Sequence, residues 1–266
     1  MELVELLKKS VIVAAHPDDE VLWFSSILAD VDEVILCYND LFDDAKTSKG
    51  RKQALAEFPH DNISSLDIME AGVFALADWE NPRPSAYGIE LNQRGRRVAL
   101  KRLWRQAKGF ALTQKNLTPA QRYERNYALL VEKLRVRLAL AQNVFGHNPW
   151  GEYGNEEHIQ VFRALSQLRD ELGFKLWVSA YASKETLQMA LGYVDLSKPP
   201  KNHIKRPTNK QLAAQIMQIY QRNDCWTWFD DWQWFDHDLI MEAPTKTLLE
   251  TSSQHHLFPL NVILRK

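Results

Sequence analysis

Apolar runs and amphipathic segments alternate along the first seventy residues of the chain. Residues 11–15, Val-Ile-Val-Ala-Ala, contain no polar position, which is the pattern of a buried strand. Residues 21–28 then read as a helix, 33–38 (Glu-Val-Ile-Leu-Cys-Tyr) as a second strand, 48–58 as a helix and 64–69 as a third strand. A β-α-β-α-β opening predicts a parallel sheet with right-handed crossovers. Further on, residues 156–168 read as a helix, 175–181 as a strand and 209–221 as another helix. The fold class expected is α/β: one domain, residues 1–266, with a mainly parallel sheet flanked by helices.

The alternation breaks between about residues 81 and 142, where an insertion or cap is expected. Within it, Tyr123, Tyr127, Leu130, Val131, Leu134 and Leu138 recur at three- and four-residue spacings, the stripe of one long helix over residues 119–142. That stripe reads most simply as core. Ahead of it, residues 94–108 carry Arg94, Arg96, Arg97, Lys101, Arg102, Arg105 and Lys108 with no acidic residue among them. A solvated helix face explains this stretch, and an electropositive rim for an anionic substrate is the alternative.

Chemistry concentrates where the first strand ends. His16-Pro17-Asp18-Asp19-Glu20 follows it directly, so these side chains emerge at the carboxyl end of a buried strand, where open α/β sheets place their sites. A His and an Asp three residues apart on one turn can both reach a single zinc ion, and Asp18 between them is left to act. The same acidic cluster also suits the amino end of the following helix, as a cap. A second half-site lies at residues 146–161, a loop rich in turn formers that leads into a helix and brings in His158. A ligand set of His16, Asp19 and His158 leaves a fourth position for water, as in catalytic rather than structural zinc sites.

These residues resemble the LmbE-like or PIG-L family of zinc-dependent de-N-acetylases, whose members carry a strand followed by a His-Pro-Asp-Asp-Glu loop and, later, a His-x-x-His element. The similarity covers residues 10–58 and 143–182. It implies a Rossmann-like fold, one Zn2+ per chain, and removal of an acetyl group from an N-acetylated amino sugar or sugar conjugate by zinc-activated water. Asp18 is then the base, and Tyr153 matches a family Tyr that hydrogen-bonds the reacting carbonyl oxygen. The chain departs from the pattern at Asn155, which stands where the first His of the pair is expected and cannot deliver a proton near neutral pH. Asp18 returning its proton to the departing amine fills the gap, with His147 as a second candidate donor. Asn155 is expected to orient the intermediate and Glu157 to support the ligands. Arg51 resembles a substrate-contacting family position, although a surface Arg at a helix start reads equally simply.

Composition narrows this picture without deciding it. Lys plus Arg (33) nearly balance Asp plus Glu (34), so net charge offers no support for nucleic-acid binding. Two cysteines, Cys37 and Cys225, suggest a reducing compartment rather than a disulfide scaffold. No run is long enough to span a bilayer and residues 1–10 lack a signal peptide's apolar core, so a cytoplasmic protein is expected, with oligomerisation left open. The dense aromatics of residues 225–235 suit either packing or a sugar-stacking platform. Two other functions stay open: a degenerate relative that binds zinc and glycan without turnover, and an amidase acting on a non-sugar metabolite.

Overall fold

The computed structural model describes residues 3–41, 43–92, 117–194, 202–244 and 260–263. In chain order the elements are α1 (Leu3–Leu6), β1 (Ser10–Ala14), α2 (Asp19–Phe24), β2 (Glu33–Asp40), α3 (Ala45–Ala56), β3 (Ile63–Met69), β4 (Pro84–Ser85) and β5 (Gly88–Ile89). There follow α4 (Pro119–Arg137), β6 (Asn143–Gly146), α5 (Glu156–Leu172), β7 (Lys175–Ser179), β8 (Tyr181–Ser183), α6 (Leu187–Leu191), β9 (His203–Pro207), α7 (Lys210–Arg222), β10 (His237–Glu242) and β11 (Asn261–Ile263).

A seven-stranded sheet runs in the order β3-β2-β1-β6-β7-β10-β9. Its first five strands are mutually parallel, and β10 runs antiparallel to both β7 and β9. The chain is therefore an α/β domain with a mainly parallel sheet, as the alternation predicts. The antiparallel edge was not foreseen: β9 alternates exposed and half-buried positions, and its sequence, His-Ile-Lys-Arg-Pro, carries no apolar run.

After Ser10, the packing of β1 shows why residues 11–15 are uninterrupted by polar side chains. Val11, Val13 and Ala15 enter a core cluster with Leu130 and Leu134 of α4 and Leu165 and Leu168 of α5. Ile12 and Ala14 enter the cluster on the other face, with Val21 and Phe24 of α2, Ala54 of α3 and Ile216 of α7. A strand covered on both faces has no position left for a polar side chain. Truncating a fully buried side chain such as Ile12 to Ala would cost roughly 2–5 kcal/mol.

The long helix is shorter than its stripe suggests. α4 starts at a full capping box between Thr118 and Gln121, with Pro119 in its first turn, and stops at Arg137. The chain must then turn into β6, and Gln142 N–H already donates to Lys9 O beside β1. The stripe is core, since Leu130, Val131, Leu134 and Leu138 pack in the cluster under β1. The basic stretch at 94–108 lies outside the described residues.

β1 is the strand at which the order reverses, with β2 on one side and β6 on the other. The carboxyl ends of β1, β6 and β7 deliver His16, His147 and Ser179 to one edge of the sheet. That crevice is where ligands bind in open α/β sheets.

Candidate metal centre

His16, Asp19 and His158 each offer a ligand atom, and these atoms all lie within 4.8 Å of one another. Asp19 Oδ2 is the common point, 3.1 Å from His16 Nδ1 and 3.1 Å from His158 Nε2. It also accepts from the His16 backbone N–H at 2.8 Å, while Trp23 Nε1 donates to Asp19 Oδ1 at 2.9 Å. The Asp19 carboxylate and the His16 ring are thus fixed by the turn itself.

The second nitrogen of each imidazole is tied down. His16 Nε2 lies 3.1 Å from Glu157 Oε2, whose other oxygen accepts from Ala71 N–H at 2.6 Å. His158 Nδ1 lies 2.8 Å from Glu152 Oε2. Carboxylates behind imidazoles orient the opposite nitrogen and raise its basicity toward a metal. The opposite nitrogen of His158, Nε2, is buried, and among the described residues it makes no well-aligned hydrogen bond, its near neighbour being Asp19 Oδ2. A buried ring nitrogen beside a carboxylate and a second imidazole, all converging, is a donor set of the zinc type. The residues therefore fit the metal that the sequence resemblance implies.

Asp18 sits in the cleft wall beside this cluster. Its backbone adopts φ 114°, a left-handed conformation that costs a non-glycine residue of order 1–3 kcal/mol and persists only where surroundings enforce it. Glu20 Oε2 accepts from Asp18 N–H at 3.1 Å, and Thr227 Oγ1 donates to Asp18 Oδ2 at 2.6 Å. Burial, with the neighbouring Asp19 charge, pushes the Asp18 carboxyl up to about 7. Burial likewise pushes Glu20 up to about 8, where Tyr220 donates to it at 2.7 Å.

The cleft has a volume of about 470 Å³, and its wall includes His16, Asp18, Arg51, Tyr153, Asn155 and Glu157. Asp19 and His158 lie behind this wall, almost wholly buried. Arg51 is not the surface residue that its helix-start position allowed: it is 2% exposed, and its Nη1 pairs with Glu70 Oε1 at 2.6 Å. Of the aromatic run, Trp228 and Phe229 line the cleft together with Phe74, and Trp228 also packs against the core, as do Trp226, Trp232, Trp234 and Phe235.

Two expectations change. Asn155 is the N-cap of α5, where its Oδ1 accepts from Glu157 N–H at 2.9 Å, and its Nδ2 donates to the Tyr153 hydroxyl at 3.0 Å. Both ends of the amide are thus engaged by the protein, while Asn155 also lines the cleft beside Tyr153. His147 is fully buried and does not line the cleft. Its Nε2 accepts from Ala15 N–H at 2.8 Å and its Nδ1 faces Glu152 Oε2 at 3.1 Å, so both ring nitrogens are engaged by the protein. Sequence reasoning passed over Thr227 and Glu152. Neither was given a role there, although Glu152 lies in the same loop as Tyr153, residues 151–154, and Thr227 within the aromatic run.

No family model matches the chain, and none of the curated proteins does. Among solved structures it is similar to a deacetylase–teicoplanin complex of the teicoplanin biosynthesis pathway, at 10% identity and TM-score 0.47, covering 88% of this chain and 98% of that one. It is also similar to the zinc-inhibited form of teicoplanin deacetylase Orf2, at 12% identity and TM-score 0.44, with 81% and 84% covered. The A40926 pseudoaglycone deacetylase Dbv21 follows at 14% identity and TM-score 0.32, with 81% of each chain covered. Among the described residues no helix is long and apolar enough to cross a membrane.

Proposed function

We propose that the chain is a zinc-dependent N-deacetylase that releases acetate from an N-acetylated amino sugar or sugar conjugate. The observation that carries this reading is the convergence of His16, Asp19 and His158 behind the wall of a cleft, with His158 Nε2 buried and directed at Asp19 Oδ2. The resemblance of the His16–Glu20 loop to de-N-acetylases supplies the reaction class. His16, Asp19 and His158 would hold the metal. Bound there, zinc supplies Lewis acidity, polarising a carbonyl and acidifying water toward pKa about 7.

The chain's own residues do the rest. Asp18, held by Thr227 at the cleft wall, takes the proton of the attacking water. It then returns that proton to the nitrogen, because an amide anion is too basic to leave unprotonated. Tyr153, its hydroxyl positioned by the Asn155 amide, is the donor to the developing oxyanion. Arg51, buried in the cleft wall, suits an anionic or polyhydroxy group on the substrate, and Phe74, Trp228 and Phe229 offer apolar faces on which a sugar ring can lie.

Acetate release from N-acetylated sugars and from non-sugar acetamides tests the reading, with Asp18→Asn as control. The expected result is metal-dependent turnover of a sugar amide that falls at least hundredfold in Asp18→Asn while metal content is retained. Turnover of non-sugar amides alone would move the substrate class. Unchanged turnover in Asp18→Asn would overturn the role of Asp18.

A further inference from the structure

Behind the proposed ligands lies a second cluster, His147, Glu152 and His158, all three fully buried. Its donor atoms stand close enough together to hold a cation of their own, yet their hydrogen bonds are complete. Glu152 Oε2 faces both His147 Nδ1 (3.1 Å) and His158 Nδ1 (2.8 Å). Glu152 Oε1 accepts from Asn148 N–H at 3.1 Å and from the Ser179 hydroxyl. Four donors surround one carboxylate, which leaves no lone pair for a metal.

The proton positions follow from the partners. His147 Nε2 accepts from Ala15 N–H, so it is bare, and the ring proton sits on Nδ1 facing Glu152. His158 Nδ1 faces the same acceptor oxygen, so it too carries a proton, and Nε2, 3.1 Å from Asp19 Oδ2, is the nitrogen left for a metal. The two rings stack with centroids 3.8 Å apart.

We propose that Glu152 is the positioning residue of the metal centre: by holding both imidazoles in the Nδ1–H form, it points the lone pair of His158 Nε2 at the metal position. This inference rests on the metal-centre reading given above. The same carboxylate joins separate parts of the chain. Through His147 it reaches Ala15, the residue before His16, and through Ser179 the end of β7, so both halves of the ligand set are referenced to one group. The loop is built for this inward aim. Glu152 has φ 51° between Gly151 at φ 68° and Gly154 at φ 96°, and a Cβ on Gly151 would lie 2.6 Å from Asn155 O.

Glu152→Gln tests the proposal because it keeps the volume and breaks the hydrogen-bond logic. If the amide NH2 faces the rings, His158 must flip its proton to Nε2; if it faces Asn148 N–H, two donors collide. Zinc affinity measured by chelator competition on the purified chain is expected to fall ten- to hundredfold relative to wild type. Long-range 1H–15N spectra of the zinc-loaded wild type are expected to show a proton on Nδ1 of both His147 and His158, a result independent of how well the variant folds. Equal zinc affinity in wild type and Glu152→Gln, or a His158 Nδ1 without a proton in the zinc-loaded wild type, would overturn the role of Glu152 alone. A wild-type chain that binds no zinc would overturn this role together with the metal-centre reading.

Discussion

Thr227 Oγ1 donates to Asp18 Oδ2 at 2.6 Å, joining residues 209 positions apart in sequence. The bond favours the ionised carboxylate, against the burial that pushes Asp18 up to about 7. Removing it in Thr227→Val therefore raises the Asp18 pKa further. A base must be ionised to act, so the acid limb of the kcat/KM pH profile moves to higher pH, by about one to two units for a charge-assisted bond of roughly 1.5–3 kcal/mol. The profile of the variant against wild type reads this directly, and a limb displaced to lower pH contradicts it.

Tyr153→Phe removes the hydroxyl that accepts from Asn155. A lost oxyanion donor lowers kcat about hundredfold, near 3 kcal/mol, with zinc content unchanged. Steady-state acetate release alongside metal analysis separates this from loss of the metal. Asn155→Ala combines that effect with loss of the α5 cap, so its unfolding free energy falls by about 1 kcal/mol as well.

Phe74 and Phe229 line the cleft at 58% and 48% exposure, high for large apolar side chains. Contacts made equally in ground and transition states change KM and leave kcat alone. Phe229→Ala is therefore expected to raise KM several-fold for a sugar substrate while kcat stays within twofold. A kcat loss that dominates would mean the ring acts on the reacting group.

Metal removal has a stability consequence. A ligand that binds only the folded chain stabilises it by RT ln(1 + [L]/Kd), about 2.7 kcal/mol at a hundredfold excess over Kd. Dialysis against a chelator followed by thermal melting is expected to lower Tm by several degrees, restored by added zinc. An unchanged Tm in wild type would argue against a tightly held metal.

What could be read in the chain beforehand follows the physics of each element. β1 was legible because both of its faces are covered, and the His16–Glu20 turn because its ligands are neighbours in sequence. β9 and β10 were not: β9 is a polar edge strand, and β10 opens with His237 and the buried Asp238, whose oxygens accept from Ser26 N–H and the Tyr181 hydroxyl. Thr227 and Glu152 escaped for another reason. Thr227 meets a partner 209 positions away, and Glu152, although His147 and His158 are near it in sequence, is aimed at them only by the folded loop. Asn155 shows the converse: the sequence marked it as a departure, and the structure explains the residue type by the helix cap.

The most direct test of the metal centre is the zinc content of the purified wild-type chain by elemental mass spectrometry, beside His158→Ala. The account predicts close to one zinc per wild-type chain and a near-complete loss in the variant; a wild-type chain without bound divalent metal, even after zinc is added, would contradict it.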